Sequence, residues 1–370
     1  MTELPPLSLL DLATVDDSAA GDGAAARNGT GAVGAGAGVR ADSGTRIRAA
    51  LAHSVELARA AEAGGYRRVW YAEHHNMPAI ASSATAVLIA HVAAHTERIR
   101  LGAGGIMLPN HSPLVIAEQF GTLAELHPGR IDLGLGRAPG SDGATFRALR
   151  RSHAASESFP SDVVELQRLL GDELPRTAVN AYPGRGTRVP LVILGSSMFG
   201  ASLAAQLGLP YAFASHFAPQ VLTAAVAHYR ASYTPSEAHP EPHVIAGVNV
   251  VAAADDEAAE ALLARTELER VRRFLSRGRE RELTLDEAGA LFDTPAGQEI
   301  RGMLRYTAVG GPQRVRDELL AFARYADADE LITVHPAPTH AERLESVRLA
   351  APADSAPASA SPVSASPASA

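Results

Sequence analysis

Short apolar runs alternate along the chain with longer segments in which apolar residues recur every three or four positions. The apolar runs predict eight β-strands, at Leu7–Leu12, Arg68–Ala72, Ile99–Gly102, Arg130–Gly134, Pro190–Leu194, Pro210–Ala214, Val244–Val251 and Glu330–Val334. The periodic segments predict helices at Arg46–Ala63, Ser82–His95, Pro113–Leu126, Phe199–Leu207, Ala218–Tyr233, Asp255–Leu275 and Thr339–Leu349. Strands that alternate with helices form a parallel sheet, and eight of them favour a closed α/β architecture, the (β/α)8 TIM barrel.

Two intervals between the predicted strands are longer than one helix and its loops require, Ala138–Arg188 and Ala252–Asp329. We therefore expect insertions after strands 4 and 7, at the mouth of the barrel, where they shape access for a substrate. Within the second interval, Gly310-Gly311-Pro312 predicts the start of a helix over Gln313–Tyr325.

Two other segments contain almost no large apolar side chains that could offset the entropy of ordering. Asp16–Gly44 is dominated by Gly, Ala and Ser, and we predict a flexible insertion there, within a single barrel domain that spans residues 1–350. Ala351–Ala370 is predicted to be a disordered tail of Ala, Ser and Pro.

Composition removes several classes of chemistry. The 370 residues include no cysteine and no lysine, and all 33 basic residues are arginine. Disulfides, thiolate nucleophiles, cysteine-bound metals, Schiff bases and the phosphate-loop lysine are thereby excluded. The net charge of −8 and the lack of a basic stripe speak against nucleic acid as a partner. With no apolar run long enough to span a bilayer and no signal-like segment at Met1–Leu12, we expect no membrane association and a cytoplasmic location.

Polar residues gather at the ends of the predicted strands, where TIM barrels place their active sites. They are Asp11, Glu73, His74, His75, Asn110, His111, Arg137, Ser196, Ser197, Ser215, His216, Asn249 and His335. The strands themselves are nearly all apolar, so this concentration predicts a functional site. For His216 and His335, a structural role is the better interpretation.

The segment Glu73-His74-His75 follows the second strand directly. A histidine there suits proton transfer or hydrogen bonding near neutral pH, and the alternatives are a solvated turn or a metal pair. Since no third and fourth ligand stand out in the sequence, we predict no metal site.

Three further features suit a phosphorylated, flat ligand. The glycines of Gly102–Gly105 end the third predicted strand and allow close approach of a ring, although an ordinary loop would also contain them. Arg137 is interpreted as an anion ligand rather than a plain surface arginine. Ser196 and Ser197 precede a helix, where hydroxyls and free N–H groups form a phosphate cradle; simple N-capping is the alternative. Arg137 and the serines end adjacent strands and could share one phosphate.

Several ordered motifs resemble the bacterial luciferase-like flavin monooxygenases. They are Trp70–His75, Gly104–Pro109, Glu118-Gln119, Pro128–Gly134, Gly136–Asp142 and Leu194–Ser197. The resemblance implies a TIM barrel that uses reduced FMN and O2, through a flavin hydroperoxide, to oxygenate a small organic substrate. It also implies a separate flavin reductase as partner and a homodimer formed through the helices Ser82–His95 and Pro113–Leu126.

The resemblance assigns roles to particular residues. His74 and Glu73 are expected to be catalytic, and Gly104 and Gly105 to form a non-prolyl cis peptide under the flavin ring. Arg137, Ser196 and Ser197 match the phosphate site, and the apolar residues 106–108 are expected to keep water from the flavin. Luciferase has a glutamate where Ser196 stands and a cysteine where Gly136 stands, which argues against light emission with a long-chain aldehyde. The alternatives are a deazaflavin-dependent oxidoreductase and a non-catalytic flavin-binding protein.

Overall fold

Parallel strands close into a barrel in the computed structural model, which describes residues 3–16, 43–138, 143–151, 153–172 and 178–352. The strands are β1 (Leu7–Asp11), β2 (Arg68–Tyr71), β3 (Arg100–Met107), β4 (Ile131–Gly136), β5 (Leu191–Gly195), β6 (Tyr211–Phe213), β7 (Val244–Ala252), β8 (Thr307–Gly310) and β9 (Glu330–Val334). Strands β1 to β7 pair in sequence order, and β9 pairs with both β7 and β1 to close the ring. The predicted TIM barrel is thus confirmed.

The helices pack around the outside of the strands. They are α1 (Ser43–Ala63), α2 (Thr85–Ala93), α3 (Pro113–Leu126), α4 (Gly143–Ala148), α5 (Phe159–Leu170), α6 (Met198–Leu207), α7 (Leu222–Ala231), α8 (Asp256–Ser276), α9 (Leu285–Leu291), α10 (Pro295–Gly302), α11 (Pro312–Ala326) and α12 (His340–Leu349). Short 3-10 turns cover Leu108–Asn110 and His153–Ser156. Among the residues described, no helix combines the length and the apolar character needed to cross a bilayer.

The two long intervals hold the additional elements. Helices α4 and α5 lie between β4 and β5, and the interval between β7 and β9 contains α8, α9, α10, β8 and α11. Strand β8 pairs with the last four residues of β7, beyond the point where β7 leaves β9, so it is a ninth strand outside the barrel. This strand is not among those predicted from the sequence. The helix predicted from Gly310-Gly311-Pro312 is present as α11.

Strand β3 changes which face its side chains present. Leu101 and Ala103 belong to the core between the barrel and the helices, and so do Ile106 and Leu108. The side chains that point outward to the helices are therefore at odd positions before the glycines and at even positions after them. The pairing register with β4 shifts between Ala103 and Ile106, and the intervening Gly104–Gly105 peptide is cis, as the resemblance implied. Met107 therefore falls on the inner face, since side chains alternate along a strand.

Two expectations for this segment are wrong. The third strand does not end at Gly102, because the glycines lie inside β3, which continues to Met107. Ile106 and Leu108 do not line the barrel mouth either, since they are buried against the surrounding helices. Of the three apolar residues, only Met107 remains available to a ligand in the barrel.

The N-terminal end of the barrel is closed by charged side chains. Arg68, at the start of β2, is buried and donates to Asp132 at 2.8 Å and to Glu330 at 3.0 Å. Ser8 also donates to Glu330, and the Trp70 indole to Asp132. This network occupies the N-terminal end of the barrel, so a ligand is expected at the opposite mouth, where TIM barrels bind their substrates.

The boundaries of the predicted flexible segments need correction. Asp16 is buried and accepts hydrogen bonds from Arg343 at both carboxylate oxygens, so it belongs to the packed domain. Ser43 and Gly44 are part of α1, and Ala351 packs against the core. The rest of the predicted insertion, 17–42, and of the predicted tail, 353–370, lies outside the described residues.

Candidate active site

A buried carboxylate organises the segment that follows β2. Glu73 is 1% exposed, and its Oε1 lies 2.7 Å from His75 Nε2 and 2.8 Å from His111 Nε2. Its Oε2 accepts from the backbone N–H of Met107 at 3.0 Å. Burial alone would raise the pKa of Glu73, but the hydrogen bonds from His111 and His75 outweigh it and hold the pKa below the ordinary glutamate value.

These contacts fix the protonation of both imidazoles. An ionised carboxylate only accepts hydrogen bonds, so Nε2 of His75 and Nε2 of His111 must each carry a proton. The hydrogen bond to Glu73 raises the pKa of His75. The hydrogen bonds of Glu73 to described residues all come from these protein donors, which suits a positioning role, and its direct catalytic role stays a prediction.

The same three residues form a set of potential metal ligands. One oxygen of Glu73 and one ring nitrogen each of His75 and His111 lie within 4.8 Å of one another. Sequence reasoning missed this convergence because His111 is 38 positions from Glu73 and reaches it only through the pairing of β2 with β3. The hydrogen bonds to an ionised carboxylate account for the arrangement without a cation, and the absence of a metal site stays a prediction.

His74, between Glu73 and His75 in the chain, takes no part in the hydrogen bonds of Glu73. Its ring is half-buried, and Nδ1 is a buried atom with no hydrogen-bond partner among the described residues. Burial, followed by the positive charge of Arg277, lowers the pKa of His74. The imidazole is therefore neutral at pH 7, and Nδ1 can accept or donate a hydrogen bond, depending on the tautomer.

An anion cradle lies on the neighbouring side of the mouth. Gly136, at the end of β4, pairs with Leu194 of β5, which brings Arg137 beside the segment of Ser196 and Ser197. The guanidinium carbon of Arg137 lies 3.9 Å from the centroid of the Phe199 ring, in the first turn of α6. Arg137 is exposed, and no ion pair holds it within the part of the chain that is described.

The serines do not cap α6. Ser197 is the N-cap residue, yet its side chain makes no cap hydrogen bond, so the alternative of simple N-capping is not what the structure shows. The first N–H groups of a helix point outward and favour a negative charge. Ser196 is half-buried and Ser197 exposed, so both hydroxyls are accessible. Arg137, Ser196, Ser197 and the start of α6 thus fit a phosphate group.

The glycines divide into two groups. A Cβ on Gly104 would lie 2.8 Å from Trp70 Cβ, and one on Gly105 would lie 2.7 Å from the carbonyl oxygen of Gly134. These two glycines are required by packing inside the barrel wall. Gly136 and Gly195 end the adjacent strands β4 and β5, and a Cβ on either would meet no heavy atom of the described residues closer than 3.8 Å. This space lies beside Arg137 and the serines.

The remaining strand-end residues mostly support the fold. Asp11 accepts from Ser54 Oγ and from the N–H of Ala13, and Asn249 donates to the carbonyl of His216. Both ring nitrogens of His335 are engaged, by Ser346 at 2.7 Å and by Thr333 at 3.1 Å, which confirms the structural interpretation. His216 differs, because its Nδ1 is buried without a partner among the described residues.

A barrel that is closed by ion pairs at one end and carries an imidazole and an anion cradle at the other fits an oxidoreductase for a phosphorylated ring cofactor. Residues 29–329 match the family described as luciferase-like monooxygenase. The chain belongs to this family, whose fold implies a flavin or deazaflavin cofactor.

Individual relatives agree with this assignment. An Escherichia coli K12 protein named luciferase-like monooxygenase is 46% identical over 310 residues, covering 82% of this chain and 91% of that protein. The crystal structure of apo-MsnO8 has a TM-score of 0.78 and 34% identity, covering 94% of this chain and 97% of that one. The N-acetyl-S-alkylcysteine monooxygenase of Bacillus subtilis is 41% identical over 169 residues, which are 44% of this chain and 51% of that protein.

Proposed function

We propose that this protein is an FMN-dependent monooxygenase that transfers one oxygen atom from O2 to a small organic substrate. The second oxygen atom leaves as water, and reduced FMN provides the two electrons and two protons that balance the reaction. The observation that carries the proposal is the cradle at the ends of β4 and β5. There, the Arg137 guanidinium is stacked on Phe199 beside the uncapped start of α6.

The cradle matches the terminal phosphate of FMN. A guanidinium and the N–H groups of a helix N-terminus complement a dianion, and Gly136 and Gly195 leave space for it. Stacking on Phe199 holds the guanidinium plane, so less freedom is lost when the phosphate binds. When bound, the reduced flavin supplies the electrons that activate O2.

The other residues position the ligands and protect the site. His74 presents Nδ1 of a neutral imidazole, which can hold or move a proton near the reacting centre. Glu73 fixes the backbone on either side of the mouth through Met107 and His111. The side chain of Met107 lies on the inner face of β3 and helps to exclude water.

The substrate class follows from the relatives only in outline. One relative is named for oxygenation of N-acetyl-S-alkylcysteines, which are thioethers. A soft thioether sulfur accepts one oxygen atom directly, so thioethers are the first compounds to test. A separate flavin reductase is proposed to supply reduced FMN, because no nicotinamide fingerprint occurs in the sequence.

The decisive experiment combines cofactor binding with product analysis. Wild type is titrated with reduced FMN and with reduced deazaflavin, and then incubated with a flavin reductase, NADH, 18O2 and a panel of thioethers. We expect tight FMN binding and one 18O atom in a sulfoxide. Binding of deazaflavin in preference to FMN, with no oxygen consumption, would replace this proposal by hydride transfer.

Variants of Arg137 and His74 test the phosphate cradle and the imidazole separately. Arg137→Met should weaken FMN binding by roughly 2 kcal/mol or more, as for a lost charge-assisted pair. Arg168→Met, on the exposed face of α5, is the matched control and should bind FMN as wild type does. His74→Ala should bind FMN normally but lose turnover. If Arg137→Met kept the wild-type affinity, the phosphate would have to lie elsewhere.

We also propose that α2 and α3 form the interface of a homodimer. Val87 on α2 is 70% exposed and Leu126 at the end of α3 is 64% exposed. Two large apolar side chains on adjacent helices at this exposure favour burial against a second copy of the chain.

A further inference from the structure

Helix α8 lies over the C-terminal rim of the barrel. Near its middle, Thr266 Oγ1 donates to the carbonyl of Pro336, which follows β9. Further along, Arg273 is close enough for its charge to act on Asp16, after β1, and Arg277 acts in the same way on His74, after β2. The helix therefore passes from the end of β9 towards the end of β2, across one side of the mouth.

The arginines of this segment fall into two groups. Three are paired with carboxylates: Arg265 with Glu342 at 2.6 Å, Arg272 with Glu269 at 2.7 Å, and Arg273 with Glu269 at 2.6 Å. Arg270 and Arg277 form no ion pair and no side-chain hydrogen bond with any residue that the structure describes. The two unpaired guanidiniums therefore differ from their neighbours on the same helix.

An aromatic ring holds the two unpaired arginines together. The guanidinium carbon of Arg277 lies 4.1 Å from the centroid of Phe274, and that of Arg270 lies 5.3 Å from it. Two like charges are thus kept near one another, and neither is neutralised. Burial, followed by the charge of Arg277, lowers the pKa of Arg270 to about 10.

Arg270 is partly removed from solvent. It is half-buried, and its Nε is a buried atom without a hydrogen-bond partner among the described residues. Its charge also reaches His216, where burial and then Arg270 lower the pKa to about 3. A cation that is partly removed from water and left without an anion is costly unless a ligand supplies the negative charge.

We propose that Arg270 and Arg277 bind the carboxylate of an organic substrate at the mouth of the barrel. The proposal rests on the proposed function, since it assigns the substrate class of the same site. A planar guanidinium binds a carboxylate through two parallel hydrogen bonds, and the Phe274 ring fixes the orientation of both. Phe217, which is 41% exposed next to His216, offers an apolar surface for the body of the same molecule.

This anion site is separate from the phosphate cradle. The cradle is built on the ends of β4 and β5. Arg270 lies on α8 and Arg277 directly follows it, and the two act on His216 and His74, after β6 and β2. Substitution of Arg270 should therefore leave FMN binding unchanged. Substitution of Arg137 should weaken FMN binding and leave the binding of the carboxylate unchanged.

The test measures binding of matched acids and amides by calorimetry, with FMN-loaded protein. The probes are phenylacetate, 3-phenylpropanoate and 4-phenylbutanoate, each compared with its primary amide. We expect wild type to bind at least one acid ten times or more tightly than its amide, and Arg270→Met to lose that preference. Arg265→Met, on the same helix but paired with Glu342, should retain it.

Each outcome bears on one proposal. Equal binding of acids and amides by wild type at all three lengths would overturn the anion site, whether or not the protein oxygenates thioethers. If Arg270→Met weakened FMN binding as Arg137→Met does, Arg270 would belong to the cofactor site and the proposal would be wrong. Acid preference that persists without any oxygenation would support the anion site and count against the monooxygenase.

Discussion

His111 Nε2 lies 2.8 Å from Glu73 Oε1, and this hydrogen bond joins the segment after β3 to the segment after β2. The same oxygen accepts from His75, and the other oxygen accepts from the backbone N–H of Met107. Three donors thus converge on one buried carboxylate. These contacts hold the segment that contains His74 against the end of β3.

Glu73→Gln tests that role. A carboxamide has one acceptor oxygen and an NH2 group that only donates, so at least one of the three donors loses its partner. We expect the free energy of unfolding to fall by about 1–3 kcal/mol in urea denaturation, and turnover to fall while FMN affinity is retained. Glu125→Gln, at an exposed position of α3, should match wild type. Unchanged stability of Glu73→Gln would contradict the assignment.

Arg68→Met tests the closure of the lower barrel. The change leaves the carboxylates of Asp132 and Glu330 buried without their shared guanidinium, and such losses cost about 3–5 kcal/mol. Thermal and urea unfolding should both show this loss of stability. Arg67→Met is the control, because Arg67 is 46% exposed and 3.6 Å from Glu330, and we expect it to cost less than about 1 kcal/mol. Similar losses for the two variants would show that the network does not depend on Arg68.

The sequence could predict the eight barrel strands because each is a short apolar run bounded by polar or glycine residues. It could not predict the change of face in β3, since neither the cis peptide at Gly104–Gly105 nor the register shift has a signature in hydrophobic periodicity. For the same reason, the sequence does not show that Ile106 and Leu108 face the surrounding helices rather than a flavin.

The candidate site likewise has features that the sequence could predict and features that it could not. Arg137, Ser196 and Ser197 could be predicted, since each ends a strand and the strands are neighbours. The convergence of His111 on Glu73 depends on the pairing of distant strands, and local patterns carry no information about it. Arg270, Phe274 and Arg277 are four and three residues apart, so their stacking follows a local helical spacing. The sequence does not show which arginines of this segment are left without a carboxylate partner.

Buried neutral histidines should make the protein sensitive to acid. Burial lowers the pKa of His335 to about 3, whereas an unfolded histidine titrates near 6.5. Between these values the unfolded chain binds a proton that the native state does not, so the free energy of unfolding falls as the pH decreases. The contribution of neutral His335 to the free energy of unfolding is fully present above about pH 6.5 and is lost progressively towards pH 3.

The variant His335→Gln isolates the contribution of His335 to the pH dependence of the free energy of unfolding. Urea unfolding at pH 7.5, 6.0 and 5.0 should show a shallower pH dependence than wild type, by up to about 1.4 kcal/mol per pH unit for one proton. The variant should also be less stable at pH 7.5, because the contacts with Thr333 and Ser346 change. His91→Gln, exposed on α2, should keep the wild-type slope. Parallel profiles for His335→Gln and wild type would contradict the prediction.

The proposed dimer interface can be tested at Val87, which is 70% exposed on α2. If a second copy covers this face, Val87→Glu buries an unpaired carboxylate there and should dissociate the dimer. Sedimentation velocity should give twice the chain mass of 38.5 kDa for wild type and the single mass for the variant. Leu285→Glu is the control, since Leu285 is also a large exposed apolar residue, at 53%, but lies on α9, which packs against α8. A monomeric wild type, or equal dissociation by both variants, would rule out an interface at α2 and α3.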